Sequence, residues 1–235
     1  PRNGERLQIS DIIVTRKEGD SMKILAINGS PRKNGNTATL LKKAMEGAVS
    51  VGAETEFIQL SDLNFKGCMS CFACKLIAGQ HRCAWNDDLK PVLEKIEHAD
   101  GVIFGAPIYF MHISALMAGC LERVIFPYYI YNNEKPSVFP GKLPTAFIYT
   151  MNAKKEQIEP YLAGLNPIER FCQAMFRVKP RVLYSYDTWQ YPDYAKYEHA
   201  RFNVDDKKKQ REEVFPQDCV AAYELGKKIA LKEKK

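Results

Sequence analysis

Apolar positions fall into two alternating patterns that begin at Met22. Met22–Asn28 (MKILAIN) is a continuous apolar run closed by Gly-Ser-Pro, the pattern of a strand buried on both faces. Leu40, Leu41, Ala44, Ala48 and Val49 then recur at helical spacing behind a cap at Asn36 or Thr37, stopping near Gly52. Glu54–Leu60 alternates as a second strand, and Leu89, Val92, Leu93 and Ile96 give a helix opening near Asp87–Asp88. Val102–Ala106 is a third strand, and Ser114 caps a helix carrying Leu116, Cys120, Leu121, Val124 and Ile125. Residues 127–144, rich in Pro, Tyr and Asn, fit neither period. Thr145–Met151 reads as a fourth strand, Asn166-Pro167 opens a short helix, and Arg181–Tyr186 is a fifth strand. An aromatic and polar stretch then leads to a helix over about 217–231.

Strands that are near-continuous apolar runs, alternating with helices, predict an α/β fold with a parallel sheet covered on both faces. Five strands suit a doubly wound three-layer sandwich, whose ligand lies beyond the carboxyl ends of the strands. Those ends are Gly29–Thr37, Pro107–His112 and Thr150–Asn152. The expected organisation is a leader or arm over 1–21, one domain over 22–190, and a helical extension over 191–235 packed on that domain.

Composition changes this picture only at a few points. The 235 residues carry a formal charge of +6, but the last ten (GKKIALKEKK) contribute +4 from five Lys and one Glu. A basic helix end of this kind is ordinarily solvated, and nucleic acid is not an expected partner. Gly101–Leu121 is free of formal charge over 21 residues, yet Pro107, His112 and Ser114 interrupt it, so no membrane span is expected. Residues 1–21 mix four basic and four acidic residues, unlike a secretory signal. Seven cysteines without disulfide-style spacing point to a reducing, cytoplasmic setting.

The loop NGSPRKNGNT (Asn28–Thr37) concentrates small residues, hydroxyls, amides, Arg32 and Lys33 where a buried strand meets a helix N-terminus. Exposed N–H groups backed by a helix dipole make an anion site there. Neither the triphosphate loop nor the dinucleotide glycine pattern is present. A plain strand-to-helix turn is the blander reading. Pro107-Ile108-Tyr109-Phe110, read as a break just past the third strand, places two aromatics at a pocket mouth suited to an apolar planar ligand. A hydrophobic loop buried on the next helix is its alternative. Glu122-Arg123 reads as a helix-end ion pair or an oligomer contact, and Asp87-Asp88 as acidic residues favourable at a helix N-terminus.

Three segments in order (MKILAINGSPRKNGNT, the CxxCxxC…C…DDL stretch, and GAPIYF…LERV) resemble the flavodoxin-like NADPH-dependent FMN reductase family, closely from Met22 to about Arg123. The resemblance implies a flavodoxin-like fold with non-covalent FMN. It implies that Ser30, Arg32, Asn36 and Thr37 hold the FMN phosphate, and that Pro107, Ile108, Tyr109 and Phe110 line the isoalloxazine ring. Thr150, Met151 and Asn152 would bound the ring's other side. It further implies NAD(P)H as co-substrate, a flavin, quinone or other small acceptor or a redox protein as partner, and a homodimer or homotetramer.

Cys68, Cys71, Cys74 and Cys83 form a C-x2-C-x2-C-x8-C set. Four thiolates so spaced suit a [4Fe–4S] cluster or zinc, and the compact run favours the cluster. The set resembles the cysteine motif of iron–sulfur flavoproteins, although its last gap, containing His81 and Arg82, is at the long end. Reduced or disulfide-forming thiols remain the alternative. Cys120, Cys172 and Cys219 occupy apolar helical positions and read as core. The sequence therefore points to an FMN-dependent oxidoreductase drawing on NAD(P)H, with flavin-borne chemistry. A non-enzymatic electron carrier and a cysteine redox sensor are the other two readings.

Overall fold

A computed structural model describes residues 21–231 apart from 77–80, 133 and 165. The segment expected to be a leader or arm lies, except for Ser21, outside the described residues, as do the last four residues of the basic tail. Among the described residues there are six strands: β1 (Lys23–Asn28), β2 (Glu54–Gln59), β3 (Gly101–Tyr109), β4 (His112–Ile113), β5 (Thr145–Thr150) and β6 (Arg181–Ser185). Five run parallel in the order β2-β1-β3-β5-β6, and β4 folds back antiparallel on β3. With two-residue β4 set aside this is the flavodoxin order, as expected.

Alternation along each strand sends side chains to two helical layers. Ile24, Ala26, Ile103 and Ile148 meet α1 (Asn36–Val49) and α7 (Phe215–Ala230) on one face. Leu25, Ile27, Phe104 and Phe147 face α2 (Lys90–Glu97), α3 (Ala115–Ile125) and α5 (Asn166–Phe176) on the other. Helices α1 and α7 meet backbone to backbone. A Cβ on Gly47 would lie 1.9 Å from the Tyr223 carbonyl oxygen, and one on Gly226 1.8 Å from that of Ala44. Only residues without a side chain permit that approach.

The sequence reading placed the end of the third strand too early. β3 continues through Pro107, which sits opposite Thr150 in β5, and its carbonyl accepts the Ser114 N–H at 3.1 Å. Phe110 and Met111 then turn the chain with φ of +48° and +63°, and Tyr109 pairs with His112. Pro107–Tyr109 is thus strand, not a break after one. The charge-free stretch 101–121 is this strand, its hairpin and the first turns of α3. No helix among the described residues is long and apolar enough to cross a membrane. Two α-helices had no counterpart in the apolar pattern: α4 (Lys155–Ile158), and α6 (Val204–Lys209), which a π-turn over Gln210–Val214 joins to α7 as one rod.

Candidate functional site

The loop after β1 is braced at its base from three strands. Buried Asn28 donates its amide to Gln59 at the end of β2 (2.7 Å), and its Oδ1 accepts the Ser30 N–H at 3.0 Å. Gln59 in turn donates to the Ser30 carbonyl at 2.7 Å, and the Gly29 N–H to the Gly105 carbonyl of β3 at 2.8 Å. Ser114, the N-cap of α3, donates its hydroxyl to the Gly29 carbonyl at 2.7 Å. A Cβ at Gly29 would stand 2.7 Å from that of Met117, so glycine here allows α3 to close on the loop. Among the described residues no side chain caps the start of α1, whose N-cap is Gly35, so its first N–H groups adjoin the loop without such a partner.

The residues expected to hold a phosphate lie together on this loop. Ser30 and Thr37 are buried, with the Ser30 hydroxyl accepting the Arg32 N–H at 3.2 Å. Thr37 shares a buried 2.7 Å hydroxyl hydrogen bond with Thr150, joining the loop to the end of β5. Arg32 and Asn36 have partners of their own. Arg32 donates to the Gln190 carbonyl at 2.6 Å and Asn36 to the Trp189 carbonyl at 2.8 Å. The Asn36 Oδ1 accepts from Arg211 at 3.1 Å. A strap over 188–191, stiffened by the contact of Trp189 with Tyr194 (4.6 Å) and of Tyr191 with Tyr197 (4.5 Å), thus lies across the loop.

The residues expected around the ring are placed unevenly. Pro107 is buried in the sheet and Ile108 is half-buried, whereas Tyr109 is exposed and Phe110, at the hairpin tip, is 104% exposed. Thr150 and Met151 are buried at the end of β5, and Asn152 follows half-buried. Two carbonyls beyond β5 are held by the 187–188 segment: Met151 accepts the Thr188 N–H, and Ala153 the Asp187 N–H, each at 2.9 Å. Gln59, Lys207 and Arg211 also support the site, and none carries a local signal by which sequence reasoning could single it out. The Trp189–Gln190 backbone supports it too, within the aromatic stretch that the sequence does mark.

The cysteine segment is built differently. Between β2 and α2 the described chain forms only the short turns Leu60–Asp62 and Ala73–Lys75, and Ser70, Phe72 and His81 hold left-handed φ of +50° to +56°. Cys68, Cys71, Cys74 and Cys83 all line one cavity of about 20 Å³ together with Trp85, Arg123 and Phe126. That space admits a water. Among the described residues no group of three or more His, Cys, Asp or Glu is arranged to hold a metal ion. The donor set therefore suits a cluster by chemistry, while its present spacing does not. Cys74 is buried, which pushes its thiol pKa up against the pull of Lys75.

Arg123 fixes this segment from α3. Its side chain is 1% exposed, and it donates to the Lys66 carbonyl (3.0 Å), the Trp85 carbonyl (3.2 Å) and the Asp87 carboxylate (2.6 Å). Both ends of the cysteine segment hang on that guanidinium. Burial alone would raise the Asp87 pKa, but the hydrogen bond and charge of Arg123 outweigh it and hold the carboxyl low. Asp87 is thus an internal ion-pair partner, and Arg123 pairs with it instead of with Glu122. Glu122 accepts the Cys68 N–H at 2.9 Å. Cys120 and Cys172 are fully buried, as expected of core thiols, and Cys219 is half-buried.

An open, mainly apolar cavity of about 640 Å³ runs along the outer side of α3. His112, Leu121, Tyr129, Ile168 and Phe171 line it, with Cys68 at one edge. It therefore reaches from the foot of the β3–β4 hairpin to the cysteine segment.

Residues 22–155 match the NADPH-dependent FMN reductase family. The chain is 39% identical over 102 residues to an iron–sulfur flavoprotein of Methanocaldococcus jannaschii, covering 43% of this chain and 51% of that protein. It is 40% identical over 102 residues to an iron–sulfur flavoprotein of Archaeoglobus fulgidus, covering 43% and 48%. The chain thus spans about half the length of the curated relatives it matches. Among solved structures, an NAD(P)H:quinone oxidoreductase from Methanothermobacter marburgensis superposes with a TM-score of 0.65 at 16% identity, over 92% of this chain and 100% of the other. An azoreductase from Bacillus anthracis gives 0.61 at 14% identity, over 88% and 100%. At these identities the structural likeness speaks for the fold.

Proposed function

The chain belongs to the NADPH-dependent FMN reductase family, and we propose that it is an FMN-dependent oxidoreductase that draws electrons from NAD(P)H and delivers them to a small planar acceptor. One observation carries this reading. The phosphate-sized loop, the exposed Tyr109–Phe110 hairpin and the Thr150–Asn152 end of β5 converge on one edge of the sheet, cross-linked by the Thr37–Thr150 hydrogen bond. FMN, when bound, supplies the two-electron chemistry, leaving binding and orientation to the protein.

Ser30, Arg32, Asn36 and Thr37 would hold the phosphate, with the uncapped first turn of α1 adding N–H donors. Arg32 and Asn36 would exchange their bonds to the strap carbonyls for bonds to phosphate oxygens, a stronger, charge-assisted pairing. Pro107, Ile108, Tyr109 and Phe110 would line the ring, and Thr150, Met151 and Asn152 bound its other side. The apolar cavity beside His112 is large enough for a flat acceptor such as a quinone or a second flavin. A homodimer or homotetramer would cover the exposed Phe110.

A second reading, an electron carrier holding a [4Fe–4S] cluster on Cys68, Cys71, Cys74 and Cys83, rests on those four residues lining a single cavity. The cavity must widen before a cluster fits. Anaerobic absorption spectra with flavin, iron and sulfide assays, followed by rapid mixing with NADH or NADPH, test both. Flavin bands that bleach within seconds support the reductase. About four iron and four sulfide per chain support the carrier. A protein that binds no added FMN overturns both readings.

A further inference from the structure

Lys207 is a lysine in an unusual place. It sits on α6, in the polar run VDDKKK, yet it is 2% exposed. Its Nζ donates to the Asn152 carbonyl at 2.9 Å, to the Asn152 Oδ1 at 2.6 Å and to the Asp187 carboxylate, and it stands 5.1 Å from the centre of the Phe202 ring. An ammonium has three donors and no acceptor, so all three are used. The oxygens and the aromatic face together suit a cation.

Asp187, which supplies the carboxylate, holds a left-handed φ of +52° that a non-glycine residue adopts at some cost. Burial pulls the Lys207 pKa below the usual lysine value, against the opposing pull of Asp187. A buried charge held by a strained partner is expensive as mere packing.

The contact has a definite consequence for Asn152. Because lysine can only donate, the atom 2.6 Å from Nζ is the amide oxygen, and the flip of that amide is fixed. Its NH2 is left as the group available to a ligand. The positive charge behind the oxygen polarises the amide so that its N–H groups become better donors.

We infer that Lys207 is a positioning residue for the flavin: it holds Asn152 as an amide donor at the end of β5 and favours the reduced, more negative cofactor there. This rests on the FMN reading above. Neighbouring contacts act in the same direction. Gln210 donates to the Tyr186 carbonyl at 2.9 Å and Arg211 reaches Asn36, so one short helical stretch braces both the ring end and the phosphate end of the site.

The test uses the full chain reconstituted with FMN. In Lys207→Met the Kd for oxidised FMN is expected to rise about tenfold. The midpoint potential of the bound flavin is expected to fall by about 30 mV, a further tenfold loss for the reduced form. Lys207→Arg should recover most of both. The double variant Lys207→Met/Asn152→Ala should be no worse than Asn152→Ala alone. A Lys207→Met protein that melts earlier but keeps wild-type Kd and potential would overturn the inference and leave the FMN reading intact. Wild type that fails to bind FMN would overturn both. Should Lys207→Met not fold, Asn152→Ala decides, since unchanged affinity and potential there remove the group through which Lys207 acts.

Discussion

The loop after β1 and the cysteine segment both follow a strand of the same sheet, yet they are held in opposite ways. The loop is fastened at many points, through Asn28, Gln59, Gly29, Ser114 and Thr37, each making a modest bond to a strand or helix end. The cysteine segment has little regular structure: both its ends meet the Arg123 side chain, and Glu122, Lys75 and Arg82 add further ties. Loss of one modest bond is tolerated, whereas breaking the Arg123–Asp87 ion pair strands a buried charge. The loop thus has the character of a ready platform, and the cysteine segment that of a piece that can be rearranged as a unit.

The sharpest way to break this contrast is Arg123→Leu, which strands Asp87 in a largely buried site. Loss of one partner of a buried pair is expected to destabilise the protein by about 3–5 kcal/mol, read by urea unfolding. A change below about 1 kcal/mol would show that the segment has other anchors. Thr37→Val probes the platform. It leaves the Thr150 hydroxyl buried without its partner and should lower stability by about 1–2 kcal/mol in the same assay. The two effects should differ by at least about 1.5-fold if the contrast is real.

Acid gives the smallest effect. Because Arg123 holds the folded Asp87 pKa below its unfolded value, the pair's contribution is fully present above the ordinary carboxylate pKa of about 4. It is lost as pH falls below that through the folded value. Wild type should therefore lose stability more steeply below about pH 4 than Asp87→Asn does, measured as melting temperature against pH. Parallel curves would mean that the ion pair does not govern the acid response.

How much of this was legible follows from where the partners lie in the chain. The parallel sheet and the strand-to-helix loop after β1 were readable because each strand is a compact apolar run and the loop's Gly, Ser and Asn sit next to one another. The end of β3 was misplaced because Pro107 reads as a strand breaker, and because the Phe110–Met111 turn uses no Gly or Asn to announce a hairpin. Asp87 and Arg123 were read as local helix-end charges, since nothing in the sequence joins residues 36 positions apart. Lys207 was hidden more thoroughly. Its helix, VDDKKK, has the composition of a solvated surface, and its contact with Asn152 spans 55 residues. The fold lies in periodicity, but the buttresses of the site lie in long-range polar contacts that have no period.

The close backbone approach of α1 and α7, permitted by Gly47 and Gly226, also sets an order of events during synthesis. α1 begins at the loop after β1 and has its flank covered by a helix made some 180 residues later. While residues 204–230 are still unmade, the nascent sheet can pair its strands, but Leu40, Leu41 and Ala44 remain short of their cover and Asn152 lacks its lysine. The proposed site is then completed late, by the arrival of the rod α6–α7. A ribosome stalled before that point would hold a chain that lacks the Lys207 and Arg211 contacts.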